Sequence, residues 1–244
     1  MLLLGVNIDH IATLRQARYK SAQFNQEPNP ISLAQLCVDA GAHNITAHLR
    51  EDRRHMQDRD LILLKKQIKA PLNFEMAITP SMIKFALELK PSEVCLVPEK
   101  RQEVTTEGGL NVLTHFTKIK RATTKIQTRG IAVSLFIDPI EDQVKAAAGT
   151  GAQFIELHTG VYANAKSKVD QKKELLRLNK ALCLGKSLGL TVNAGHGLNY
   201  QNITPFVQAL PDLNTLNIGH TIVSRSIEVG IFRAVQEMVQ LVQK

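Results

Sequence analysis

The chain has 244 residues, 44% of them apolar, and carries 30 Lys and Arg against 22 Asp and Glu, a net charge of +8. That supports one barrel-sized domain, whereas no apolar run approaches the ~18 residues of a membrane span, and the Met-Leu-Leu-Leu-Gly-Val start reaches Asp9 too soon for a signal peptide. Cys37, Cys95 and Cys183 have neither metal spacing nor the density of a disulfide framework, so a reduced, cytoplasmic protein is expected.

Leu2 to Ile8 reads as a first strand that stops at Asp9-His10. Ile11 to Arg18 reads as the start of a loop, and Tyr19 to Pro30, with its asparagines and prolines, as the most loop-like stretch. Ser32 is placed to cap a helix to Ala40, with Gly41 as its stop. Asn44 to Leu49 is strand two, and its apolar run ends in His48-Leu49-Arg50-Glu51-Asp52-Arg53-Arg54-His55. Arg59 to Lys69 has Leu61, Leu64 and Ile68 on one helical face, and Leu72 to Met76 is strand three with Glu75 inside it. Thr79-Pro80 opens a helix; Glu93 to Val97 is strand four, followed by a polar loop ending in Gly108-Gly109. Leu110 to Thr128 reads as a helix, Ile131 to Ile137 as strand five before Asp138, and Glu141 to Ala148 as a helix. Phe154 to Gly160 is strand six, Val169 to Leu188 a lysine-rich helix, and Leu190 to Ala194 strand seven before Gly195-His196-Gly197. Tyr200 to Leu210 is a short helix, Leu213 to Ile218 strand eight before Gly219-His220, and Ile222 to the end a final helix with Ile227, Ile231, Val235, Met238 and Leu241 at apolar spacing.

Regular alternation of strand and helix with no Pro/Gly/Ser-rich linker predicts one domain over 1–244, a parallel sheet and a (β/α)₈ TIM barrel; no GxGxxG follows strand one to favour an open dinucleotide fold. A barrel gathers its strand ends at one mouth. Asp9, His10, His48, Arg50, Glu75, Glu99, Asp138, Glu156, His158, His196 and His220 then converge there.

Glu75 interrupts an apolar run, where burial raises a carboxyl pKa and makes a proton carrier; an ion pair with a neighbouring Arg is the alternative. The glycines beside His196 and His220 suit backbone approach to phosphate, each read as preceding a helix N-terminus, although they also suit tight turns. One or two of Arg50, Arg53 and Arg54 suit a second phosphate. His48 and His55 are a weak metal hint, and a loop with one inward His is preferred. The 100–109 loop reads as a lid hinged on its glycines, or as ordinary surface. The +8 charge also admits a nucleic-acid binder, but there is no zinc-finger spacing, RNP motif or long basic run, and aromatics are only 5%. A phosphosugar epimerase or aldolase on the same barrel is the enzymatic rival; a Schiff-base aldolase wants a lysine at a strand end, and strand six offers Glu156 and His158 instead.

Four stretches carry a specific resemblance: Gly5 to Arg15, His48 to His55, Val97 to Gly109 and Asn193 to Gly197. From Leu2 into the last helix the chain resembles the pyridoxine 5′-phosphate synthase family of vitamin B6 biosynthesis. The resemblance implies a (β/α)₈ barrel with extra helices, assembled as a homo-octamer of dimers. It implies condensation of 1-deoxy-D-xylulose 5-phosphate with 3-amino-2-oxopropyl phosphate to pyridoxine 5′-phosphate, phosphate and water, with no cofactor and no metal. Carried over by motif, His48 and Glu75 are proton acceptors and His196 a proton donor. Asp9, His10, Arg50, His55 and Thr105 bind the deoxyxylulose phosphate. Asn7, Arg18, Gly197, Gly219 and His220 bind the amino ketone phosphate. The Tyr19–Pro30 segment is longer than the family usually has, and Arg18 lies at its edge. Phe74 and Ser224 also depart from the family pattern.

Overall fold

The structure, a computed structural model, describes residues 1–18, 27–99 and 108–243. Eight parallel strands, β1 (Leu3–Asn7), β2 (Asn44–His48), β3 (Leu72–Met76), β4 (Glu93–Leu96), β5 (Ala132–Ile137), β6 (Phe154–His158), β7 (Thr191–Gly195) and β8 (Thr215–Ile218), close in sequence order into a TIM barrel. The helices around it are α1 (Asp9–Arg18), α2 (Pro30–Asp39), α3 (Asp58–Gln67), α4 (Pro80–Leu89), α5 (Phe116–Gln127), α6 (Glu141–Gly149), α7 (Gly160–Ala163), α8 (Lys168–Ser187), α9 (Ile203–Ala209), α10 (His220–Val229) and α11 (Ile231–Val242). Among the described residues no helix is long and apolar enough to cross a membrane.

Each strand alternates between two environments. Leu4, Val6, Ile45, Ala47, Phe74, Met76, Val133, Leu135, Ile155, Leu157, Val192 and Ala194 are buried between sheet and helices. Phe74 meets Phe85 of α4 edge-on at 5.8 Å, and burying such a ring contributes about 1.5–3 kcal/mol. The residues between them face the barrel axis and are largely polar. Thr46 Oγ1 donates to Asn217 Oδ1 across the barrel at 3.1 Å, and Asn217 Nδ2 donates to Glu156 Oε2 at 2.6 Å. Pairing registers His48 beside Glu75 and Glu156 beside Asn193. The inner face is thus built to carry polar groups to the mouth.

Several expected boundaries move, each for a physical reason. Ile11 to Arg18 is helix rather than loop. Ile11 and Ala12 pack inward, and Arg15, only 2% exposed, forms a two-pronged pair with Asp60 of α3 at 2.9 and 2.7 Å. The second helix is capped by Asn29 with Pro30 in its first turn, not by Ser32, whose hydroxyl instead donates to the Asn29 carbonyl. Leu110 to His115 is not helical, because Leu110 N–H bonds to Phe136 O and Val112 N–H to the Gln143 side chain, so the chain lies against β5 first. Gly230, at φ 80°, breaks the final helix into α10 and α11. Ile231, Val235 and Met238 of α11 are buried against the barrel and α2, whereas Ile227 of α10 is 79% exposed and belongs to a different surface.

Candidate active site

The carboxyl ends of the strands open into a cavity of about 930 Å³. Asn7, Asp9, His10, His48, Arg50, His55, Glu75, His196, Gly197, Gly219 and His220 line it, as does Glu156. Arg18 sits at the far end of α1, about 13 Å along the axis from Asp9, and is not among the lining residues. Thr105 and most of the 100–109 loop lie outside the described residues.

One sector of the mouth is made of side chains. Asp9 opens α1, where Asn7 Oδ1 accepts its N–H at 2.9 Å. Its carboxylate accepts from His48 N–H at 2.8 Å and from Asn7 Nδ2 at 2.9 Å, and that same Nδ2 reaches Glu75 Oε2 at 3.4 Å. Glu75 points inward because its strand neighbours Phe74 and Met76 point out to the helices. Burial pushes the Asp9 carboxyl up to about 7 against the pull of its hydrogen bonds. Burial, then the nearby Glu156 and Asp9, raise the Glu75 carboxyl well above its ordinary value. An ion pair with Arg, the alternative for Glu75, is not found among the described residues. Burial pushes His48 down to about 3, helped by His55 and Arg50, so its ring is neutral. His55, down at about 4 through burial and Arg50, takes the Met56 N–H on Nδ1 at 2.8 Å, which puts its remaining proton on Nε2.

The three arginines of this loop take different places. Arg53 is tied to Asp58 through two contacts of 2.9 Å and does not line the cavity, whereas the buried Arg50 and the exposed Arg54 do. Glu99 stands 3.7 Å from Arg50 and 4.0 Å from His48 Nε2. His48 Nε2 has no hydrogen-bond partner among the described residues.

The opposite sector is made of backbone. His196 and Gly197 both have φ 83°, a left-handed pair that His196 holds under strain. A Cβ on Gly197 would come within 2.7 Å of Ala163, and one on Gly219 within 2.9 Å of Asn7, so the chain comes as close here as its backbone permits. Gly219 caps α10, leaving the first N–H groups of that helix facing the mouth. Gly197 differs from expectation: a turn built on Asn199 and Asn202 intervenes before α9, and Asn202 Nδ2 donates to the Gly197 carbonyl at 3.3 Å. Burial lowers His196 to about 4, with His158 and His10 adding to it. His10 and His220 meet edge-on at 5.0 Å between the two sectors.

Glu156 was placed at the mouth by the sequence but given no role. It is 3% exposed, burial lifts it to about 7, and it completes a trio of acids with Asp9 and Glu75. The signal was an acid at an inward phase of an apolar strand. Ligand atoms of Asp9, His48 and Glu75 lie within 4.8 Å of one another, the one cluster among the described residues with metal-like spacing. The same atoms are as well placed to pass protons. No lysine lines the cavity among the described residues, and a Schiff-base aldolase would need one.

A family model described as pyridoxal phosphate biosynthesis protein PdxJ matches residues 4–244. A pyridoxine 5′-phosphate synthase from Synechocystis sp. is 56% identical over 238 residues, covering 98% of this chain and 96% of its own. Another from Prochlorococcus marinus is 54% identical over 243 residues, covering 100% of this chain and 96% of its own. Among solved structures, a thiamine phosphate pyrophosphorylase from Pyrococcus furiosus superposes with a TM-score of 0.63 at 15% identity, over 99% of this chain and 96% of that one. At that identity the likeness is one of fold.

Proposed function

The chain belongs to the pyridoxal phosphate biosynthesis protein PdxJ family, and from that premise we propose the reaction and residue roles that follow. The protein is an enzyme of vitamin B6 biosynthesis that makes pyridoxine 5′-phosphate. Its substrates are 1-deoxy-D-xylulose 5-phosphate and 3-amino-2-oxopropyl phosphate. The observation that carries this is the pairing, in one cavity, of a buried proton-exchanging cluster with a backbone cradle for phosphate.

The amine of one substrate attacks the ketone of the other and water leaves as the imine forms. Phosphate elimination, ring closure and loss of a second water follow. Each step moves a proton. His48, neutral at rest, is ready to accept one. Burial holds the Glu75 carboxyl pKa up and so makes it a stronger base than an exposed carboxylate, the second proton acceptor. His196 is the donor, recharged as dianionic substrates raise its pKa. Asp9, His10, Arg50, His55 and Thr105 hold the deoxyxylulose phosphate; Asn7, Gly197, Gly219 and His220 hold the amino ketone phosphate. Arg18, remote from its own cavity, serves the amino ketone site of a neighbouring copy within an octamer of dimers. The exposed Ile227, Val169 and Leu176, not the occupied face of α11, offer apolar surface for that assembly. Light scattering should report a particle far larger than one chain, and a monomer would remove this role for Arg18. The site needs no metal or organic cofactor and no nucleic acid, and three unpaired cysteines suit the cytoplasm.

The test is to mix purified protein with both substrates and follow pyridoxine phosphate and released phosphate. Formation of neither would overturn the assignment.

A further inference from the structure

Beside the main cavity lies a second one of about 750 Å³, and the two share Gly160, Asn164 and His196. Its inner wall includes His158, the last residue of β6, which none of the steps above uses. His158 is 7% exposed, and its Nδ1 stands 3.1 Å from Asp138 Oδ1 at the end of β5. That hydrogen bond is the main reason the Asp138 carboxyl lies below its usual range. An ionised carboxylate only accepts, so the shared proton belongs to His158 Nδ1. Nε2 is then the nitrogen left to exchange a proton. It lies so close over Gly160 that a Cβ there would come within 2.5 Å of it.

The rings of His158 and His196 are 5.2 Å apart, and Phe136 packs on both, at 5.3 and 6.2 Å. The next residue, Thr159, clamps the same neighbour: its N–H donates to the Gly195 carbonyl at 3.0 Å, and its hydroxyl reaches the carbonyls of Gly195 and His196. The turn that carries His158 therefore also holds the left-handed backbone of His196.

We infer that Asp138 and His158 form a carboxylate–imidazole pair that positions His196 and returns its proton after each transfer. This rests on His196 being the proton donor of the proposed reaction. His196 gives a proton to a departing oxygen; His158, protonated on both nitrogens, passes its Nε2 proton to His196 directly or through one water; solvent in the second cavity reprotonates His158. Asp138 stays ionised throughout and balances the imidazolium. The pair has a reason to exist, because the partly buried His196 has its pKa lowered to about 4 and lacks its second proton at neutrality. His196 is also faced by His10 of α1, and Asp170, Lys173 and Glu174 of α8 line the second cavity, Glu174 being paired with Arg177 at 2.7 Å.

The experiment compares His158→Gln, Asp138→Asn and the double variant by kcat, KM and melting temperature across pH, with His196→Gln alongside. Each folded single variant should lose kcat about 10–100-fold, the usual effect of removing an outer partner of a working group, with KM held within about twofold. The double variant should be no worse than the poorer single one. The kcat–pH limb belonging to His196 should move to higher pH in His158→Gln, since His158 is one of the groups that hold the His196 pKa down. A folded His158→Gln with near-normal kcat, an unmoved limb, or losses that multiply in the double variant would each overturn the inference. Asp138→Asn carries the same test if His158→Gln does not fold. Full turnover in His196→Gln would instead strike the donor assignment itself.

Discussion

In the proposed reaction the two sides of the mouth use different chemistry. On the β1–β3 side, His48 and Glu75 are the proposed proton acceptors with Asp9 beside them, and burial has moved the pKa of all three away from its ordinary value. On the β7–β8 side, Gly197 and Gly219 act through backbone shape, and no side chain could replace them without a clash. The first side stores its function in protonation, so a change of one atom should silence it while the shape survives. The second stores it in close approach, so an added methyl should matter while every proton stays in place.

The sharpest way to break this contrast is Glu75→Gln. The amide keeps the shape and removes the exchangeable proton, so kcat should fall about 10²–10⁴-fold with both substrates still bound. Measuring kcat and melting temperature on one preparation decides it: near-normal turnover with lost stability would make Glu75 a structural residue. On the other side, Gly219→Ala should weaken amino ketone phosphate binding about tenfold or more at nearly constant kcat, read by titration of the folded variant. Valine is too large for this test, given the 2.9 Å approach to Asn7. Gly197→Ala should lose more stability than Gly219→Ala, because alanine at φ 83° adds about 1–2 kcal/mol of strain to the clash that both share. Equal melting temperatures for the two variants would erase that distinction.

Smaller effects sharpen the electrostatic half. The folded Asp9 carboxyl titrates near 7, above its unfolded value, so the fold binds the extra proton. Its contribution is fully present at low pH and is lost as pH climbs through about 4 to 7. Asp9→Asn should therefore gain melting temperature relative to the parent at pH 8, by about 3–8 °C more than at pH 4. An equal difference at both pH values would mean the carboxyl is not desolvated. The smallest expected effect is none: chelator treatment should leave the condensation intact, and activity lost to chelator but restored by zinc or magnesium would turn Asp9, His48 and Glu75 into metal ligands.

The strands were legible because each is a short apolar run ending in a charged or glycine-rich turn, a pattern local in sequence. Glu75 was legible for the same reason, as an acid in apolar company. Helix α1 was not. Its outer residues are polar, and it is fixed by Arg15 meeting Asp60, 45 residues away, which no local pattern announces. The break at Gly230 was hidden because apolar spacing runs on through it, although Ile227 and Ile231 face different surroundings.

By itself, the sequence determined the alternation of strand and helix, the inward phase of Glu75 and Glu156, and the set of groups brought to the mouth. These follow from side-chain periodicity, since residues two apart on a strand must share a face. Only the closed barrel decided what those groups become. It placed Asp9, His48 and Glu75 within proton reach, sent Arg18 away from its own cavity, and set His158 between Asp138 and His196. Burial and neighbours at distances of a few ångströms set a pKa, and both are properties of the assembled fold, not of any stretch of chain.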